Sequence, residues 1–329
     1  MTPDLVTFHF NKQNQSLTVL DQRQLPNHES WLTIADTASL KEAIRTLAIR
    51  GAPLLGYAGL VGVYFSLLET KGEERWHEQI LSLRAVRPTA VNLSKEVDHA
   101  YSMLIAIQGF SNRLEACLHL IEEYEHHSKQ ICESIAAYGS SLIHEGDGLL
   151  THCNTGSLAT IGLGTALGVI KKAFSLYPNL QIYHTETRPL WQGSRLTAYE
   201  LMKCHIPATI VIDSAVSVLM AEGNISSVIV GADRIARNGD TANKIGTLAL
   251  ALSARYFKIP FYVAAPTSTF DTTIESGKDI PIELRNEEEI LLCGEKKIAP
   301  LASKAWNPAF DITPKELISA FITEKGINP

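Results

Sequence analysis

The chain has 329 residues, 45% of them hydrophobic and 19% charged, with a formal net charge of −6. This composition supports a well-buried core and excludes a disordered chain. It also lacks the basic excess of a nucleic-acid binder, so an anionic ligand has to be held by a few local positive groups.

The N-terminus, "MTPDLVTFHFNKQNQSLTVLDQ", has no charged stretch followed by a long apolar run, and no secretory signal is expected. After a short strand-and-turn start ("SLTVLDQRQLPN"), the patterns to about residue 128 are mainly helical. In "TASLKEAIRTLAIRG", Leu40, Ala43, Ile44 and Leu47 share one face, with Thr37 or Ser39 as N-cap and Gly51 just past the end. The run "LLGYAGLVGVYFSLL", Leu54 to Leu68, falls short of the ~20 apolar residues of a spanning helix. With Gly56, Gly59 and Gly62 inside it, it reads as a buried helix packed closely on its neighbours, so no membrane partner is expected. "EEYEHHSK" reads as a solvated helix face rather than a metal cluster.

From Gly146 the rhythm changes. Candidate strands "GLLTHC", "LQIYHTE", "ATIVID", "SSVIVGAD" and "PFYVAAP" alternate with helical "GTALGVIKKAFSLY", "RLTAYELMKCH", "SAVSVLMAEG" and "GTLALALSARYFK". That alternation predicts a parallel sheet covered by helices. The fold class is therefore α/β: a small, mainly helical N-terminal domain over 1–128 and a sheet domain over 129–329.

The carboxyl ends of these strands carry Cys153-Asn154, Glu186-Thr187-Arg188, Asp213-Ser214, Asp233-Arg234 and Ala265-Pro266-Thr267. Ligands of open α/β sheets bind at that edge. Asp213 suits a helix N-cap before "SAVSVLM". Asp233 differs, because Arg234, Asn238, Asp240, Asn243 and Lys244 crowd around it in a loop with no other evident structural task. Helix N-termini after several strands offer N–H groups to phosphate. "GLGTALG" is not a dinucleotide fingerprint, since it does not directly follow a strand and its last spacing is one too long. His152 adjoins Cys153 in an extended strand and so points to the opposite face, which leaves a thiol hydrolase without its base. The five cysteines are odd in number and form no C-x-x-C pair. Reduced thiols in the cytoplasm follow.

Read in order, "LDQRQLP", "IRGAP", "RPTAVNL", "LTHCNTGSLAT", "ETRPLWQGSRLTAYEL", "GADRIARNGDTANKIGT", "PFYVAAPTSTFD" and "SGKDIPIELRNEEEI" resemble the methylthioribose-1-phosphate isomerases over nearly the whole chain. Ribose-1,5-bisphosphate isomerases and regulatory subunits of translation initiation factor 2B share the superfamily. The resemblance implies a Rossmann-like C-terminal domain, dimerisation through it into a homodimer, a sugar phosphate as substrate, and neither cofactor nor metal. It implies Cys153 and Asp233 as the catalytic pair, with Arg50, Gly51, Ala52, Arg87, Gln192, Asn243 and Lys244 binding the sugar phosphate. In that chemistry Asp233, protonated in a dry site, gives a proton to the ring oxygen. Cys153, as a thiolate at a helix N-terminus, moves hydrogen between C2 and C1, with a hydride shift as the rival route. The chain departs from the pattern at Trp191, Ser194 and Tyr199, at "RGAPLLGYAG" and at "NLSKEV". Tyr57, Ser94 and Trp191 are thus expected where the pocket for the 5-substituent is reshaped. A 5-deoxyribose 1-phosphate or ribose 1,5-bisphosphate is the alternative substrate, and a non-catalytic regulatory subunit the alternative role.

Overall fold

The computed structural model describes residues 5–71, 75–87, 91–294, 296–300 and 302–329. Pro88, Thr89 and Ala90 of the "RPTAVNL" motif lie outside the described residues. The chain forms two compact units. One comprises Asp4–Gln130 together with Ser157–Leu163; the other comprises Ile131–Gly156 and Gly164–Pro329.

The N-terminal unit opens with an antiparallel sheet of β1 (Phe8–Asn11), β2 (Ser16–Leu20) and β3 (Trp31–Ile34). Helices α1 (Thr37–Arg45), α2 (Ala52–Thr70), α3 (Arg75–Arg84) and α4 (Val91–Ile105) follow, with the first part of α5 (Phe110–Ser140). Helix α2 is long and apolar enough to cross a membrane, yet 78% of that window is buried inside the protein. Its glycines explain the packing. A Cβ at Gly59 would stand 3.1 Å from Leu93 and Val97 of α4, and one at Gly62 would stand 2.6 Å from Leu83 of α3.

Two local expectations are corrected here. The N-cap of α1 is Asp36, whose carboxylate accepts from Ser39 N at 2.7 Å, not Thr37 or Ser39. The helix also stops at Arg45, and Gly51 is the N-cap of α2 instead of the end of α1. Gly51 has φ 95°, and a Cβ there would stand 2.2 Å from Ala159 O, so that position admits only glycine.

In the C-terminal unit every expected strand forms: β4 (Gly148–Thr151), β5 (Gln181–Thr185), β6 (Thr209–Val211), β7 (Ser227–Val230) and β10 (Phe261–Ala264). Between them lie α6 (Ala166–Leu176), α7 (Ala198–Lys203), α8 (Val216–Ala221) and α9 (Thr247–Phe257). Two further strands, β15 (Ala320–Thr323) and β16 (Gly326–Asn328), complete a sheet of order β16-β15-β10-β7-β4-β5-β6. All neighbours are parallel except β15 and β16. Side chains alternate as a pleated strand requires. Leu149, Ile182, Ile229, Ala264 and Ile322 pack with α6 and α7, while Leu150, Val211, Val228, Val230, Val263 and Phe321 pack with α8 and α9.

The stretch after β7 is not a plain loop. β8 (Arg234–Ala236) and β9 (Thr241–Lys244) form a hairpin in a second sheet with β11 (Phe270–Asp271) and β14 (Phe310–Thr313), in the order β11-β8-β9-β14. Its polar sequence hid the pairing. A short helix, α10 (Glu288–Leu291), and a two-stranded ribbon, β12 (Leu292–Cys293) with β13 (Lys296–Lys297), lie between these elements and β14.

Candidate active site

Strand order decides where a ligand fits. From β4 the chain moves outward to β5 and β6, then returns to the other flank of β4 as β7. The crevice between the carboxyl ends of β4 and β7 is thus the topological switch point, where open α/β sheets bind ligands. Cys153 follows β4 and Asp233 follows β7, so the two flank that point on adjacent parallel strands.

Cys153 is 8% exposed and has a left-handed backbone, φ 62°. Such a conformation costs a non-glycine residue about 1–3 kcal/mol and persists only where neighbours hold it. Both of its peptide groups are held. Its N–H donates to Thr187 Oγ1 at 2.9 Å, and its carbonyl accepts from Thr197 Oγ1 at 2.5 Å. Thr187 is itself left-handed, φ 61°, and the Asp213 carboxylate accepts its N–H at 2.8 Å and that of Arg188 at 2.7 Å. Asp213 therefore joins two strand ends instead of capping a helix, correcting the expectation. Thr197 ends a π-helical turn, Gly193–Thr197, that leads into α7. A Cβ at Gly193 would stand 1.7 Å from Thr185 O, which explains the glycine in "QGSR".

Beneath the Cys153 turn lies an ion pair removed from solvent. Lys171 donates to Glu200 at 2.8 Å, with side chains 2% and 0% exposed, and Asn154 Nδ2 donates to the other carboxylate oxygen at 2.9 Å. The signal for it was legible: a lysine and a glutamate on the otherwise apolar faces of α6 and α7.

The helix-terminus expectation fails in two places. Helix α6 begins only at Ala166, and Thr155 Oγ1 accepts its Leu167 N–H at 3.0 Å, so Cys153 does not sit on a helix N-terminus. At α9 the N–H groups of Gly246 and Leu248 go to Asp311, at 2.7 and 3.1 Å, and are not open to phosphate. Burial pushes the Asp311 carboxyl up to about 6.

Asp233 is exposed, and its N–H donates to Ala242 O at 2.9 Å, so the chain alone does not provide the dry site expected for it. The reason is its place beyond the last buried residues of β7, at the open edge. Asn243 is buried and donates to Thr247 Oγ1 at 3.0 Å, and Lys244 donates to Ala309 O with its ammonium 4.6 Å from the Phe310 ring centroid. Gln192 is 5% exposed, and its Oε1 has no hydrogen-bond partner among the described residues. Trp191 lies under the Arg188 guanidinium, 4.7 Å away. Glu186 is raised above the usual carboxylate range, first by burial and then by Asp213.

The N-terminal unit holds Arg50, Gly51, Ala52 and Arg87. There Arg50 Nε donates to Gln22 Oε1 at 3.2 Å, and Gln22 Nε2 donates to Leu158 O at 2.6 Å. Tyr57 is fully buried in this unit, its ring 4.8 Å from Phe8 and its hydroxyl donating to Glu125, so it serves the core. Ser94 bonds its own helix at Val91 O. Among the described residues no group of three or more His, Cys, Asp or Glu converges as a metal site would require.

Residues 31–329 match the model of the initiation factor 2 subunit family. The chain belongs to this family. Among its relatives, the methylthioribose-1-phosphate isomerase of Caldicellulosiruptor saccharolyticus is 45% identical, covering 97% of this chain and 95% of that protein. That of Heliobacterium modesticaldum is also 45% identical, over 96% and 94%. The solved 5-methylthioribose 1-phosphate isomerase of Pyrococcus horikoshii superposes with a TM-score of 0.89 at 33% identity, over 98% of this chain and 91% of that one. A structure described as the initiation factor eIF-2B delta subunit of A. fulgidus gives 0.87 at 38% identity, over 99% and 96%. Enzymes and initiation-factor subunits thus share the family fold.

Proposed function

We propose that the chain is an aldose–ketose isomerase that converts 5-methylthioribose 1-phosphate to 5-methylthioribulose 1-phosphate, a step of methionine salvage. The observation that carries this reading is the placing of Cys153 and Asp233 on either flank of the switch point. A protein acting only through protein contacts has no use for a buried thiol in a strained turn beside an acid.

The substrate's anomeric carbon carries phosphate, so the furanose ring does not open spontaneously. Isomerisation adds a proton to the ring oxygen, moves the C2 hydrogen to C1 and removes the O2 proton. Asp233 is assigned the two oxygen steps: it protonates the ring oxygen as the C1–O bond breaks and takes the proton back from O2, leaving the carbonyl at C2. Cys153 as thiolate takes the C2 proton, giving a C1–C2 enol phosphate, and returns it to C1. The sugar itself covers the exposed Asp233 and supplies the dry setting. Gln192 Oε1, a buried acceptor lacking a donor, suits a sugar hydroxyl. Asn243, Lys244, Arg50, Gly51, Ala52 and Arg87 bind the rest of the sugar phosphate by motif resemblance, with the cations on the phosphate.

Assembly into a homodimer through the C-terminal unit belongs to the same reading. Edge strand β6 exposes Ile210, followed by exposed Ile212, and α8 and α9 turn Val218, Leu252 and Tyr256 outward. A reducing, cytoplasmic setting is supported by five free cysteines, four of them buried.

The test is to incubate the purified chain with 5-methylthioribose 1-phosphate and follow the ketose phosphate by NMR, beside Cys153→Ser and Asp233→Asn. Turnover by wild type with losses of ~10²–10⁴-fold in each variant supports the pair. A folded but inert wild type overturns the methylthio assignment and directs the assay to 5-deoxyribose 1-phosphate and ribose 1,5-bisphosphate.

A further inference from the structure

Behind the strained Cys153 turn runs a file of side chains to which the mechanism gives no part. His152 is 1% exposed; its Nε2 lies 2.9 Å from Ile245 O and its Nδ1 2.6 Å from Thr185 Oγ1. Thr185 Oγ1 lies 2.9 Å from Thr187 Oγ1, which receives the Cys153 N–H.

The direction of every bond in this file follows from its ends. Ile245 O only accepts, so His152 Nε2 carries the hydrogen. Burial holds the imidazole below its usual range, ahead of the opposing influence of Asp213, so the ring is neutral and Nδ1 is bare. Nδ1 therefore accepts from the Thr185 hydroxyl. That hydroxyl, its one hydrogen spent, accepts from Thr187. Thr187, its own hydrogen spent in turn, is left as a pure acceptor facing the Cys153 N–H. A second proton on His152 would reverse Thr185, bring two donors onto Thr187 Oγ1 and leave the Thr187 hydrogen without an acceptor in this file. The other end of the file, Ile245, directly follows Asn243 and Lys244, and Gly246 (φ 104°) would set a Cβ 3.1 Å from the ring.

We propose that His152, Thr185 and Thr187 are positioning residues for Cys153: a one-way hydrogen-bond chain from Ile245 O that keeps the catalytic cysteine in its left-handed conformation. Only the kinetic part of the test rests on the isomerase reading.

In wild-type protein labelled with ¹⁵N-histidine, His152 is expected as the neutral Nε2–H tautomer at about pH 7 and above. A ring that titrates there, or that carries its proton on Nδ1, overturns the proposal whatever the substrate. For catalysis, Thr185→Val removes the link and Thr185→Ser keeps the hydroxyl. The valine variant is expected to lose about 100-fold in kcat, as a misplacement near 1 Å does, with KM little changed. The serine variant is expected to recover most of that loss at the same unfolding midpoint. Unchanged kcat in the valine variant, or equal losses in both, overturns the proposal. An inert wild type overturns the isomerase reading and leaves the NMR result to decide the chain.

Discussion

Asp213 holds Thr187 from below: its carboxylate takes the N–H groups of Thr187 and Arg188, and Thr187 in turn takes the N–H of Cys153. An acid read from sequence as a helix cap is thus the footing of the turn that presents the candidate base. Asp213→Asn leaves one oxygen for two donors. Hydrogen bonds to a charged group contribute about 1.5–3 kcal/mol, so unfolding in urea should show a loss of that order, together with reduced turnover. A variant with wild-type stability and wild-type rate would remove Asp213 from this role.

Gly51 faces a different constraint. Its φ of 95° and the 2.2 Å between a built Cβ and Ala159 O leave no room for alanine. Gly51→Ala should cost at least about 1–3 kcal/mol from backbone strain alone, read as a lowered thermal midpoint. An unchanged midpoint would show that the segment around Ala159 yields freely.

The buried pair Lys171–Glu200 carries the next expectation. Breaking such a pair from one side strands a charge and costs about 3–5 kcal/mol. Lys171→Met is expected in that range because it takes the ammonium partner from a Glu200 carboxylate that is 0% exposed. A double-mutant cycle with Glu200→Gln should show that the two losses do not add; additive losses would mean that the residues act independently.

Asp311 sets a pH dependence of stability. Its carboxyl stands near 6 in the folded protein against 3.8 for the ordinary group, so the folded state binds this proton more tightly. The stabilisation is fully present below about pH 4 and is lost as pH rises through about 6, amounting to roughly 3 kcal/mol. Relative to Asp311→Asn, wild-type stability should fall across that window. A flat difference from pH 4 to 7 would contradict the assignment.

The sheet was legible because five of its strands, β4, β5, β6, β7 and β10, are short apolar runs between turn residues. β15 and β16 were missed as runs too short to stand out near the C-terminus, and the β8–β9 hairpin because "RIARNGDTANK" lacks an apolar face. Motif resemblance marked Cys153 and Asp233, but strand order, which makes them neighbours, is a property of the folded sheet. Thr185, Thr187 and Asp213 were invisible as a group for a plainer reason. Hydroxyls and carboxylates at strand ends are common, and only left-handed backbone at Cys153 and Thr187 reveals why these have to be there.

The segment Ser157–Leu163 has a consequence for biosynthesis. Thr7 Oγ1 donates to Ser157 O and Gln22 Nε2 to Leu158 O across 150 and 136 residues of chain, and Ile161 belongs to the N-terminal core. During translation that core cannot close when Gln130 leaves the ribosome. It waits until Leu163 has emerged, by which time residues 148–153 have emerged as well, still without the Thr187 and Thr197 that hold the Cys153 turn. A fragment cut after Gln130 would therefore keep Gln22 without its carbonyl and Gly51 without its neighbour, an incomplete folding unit although it carries nearly all of its residues.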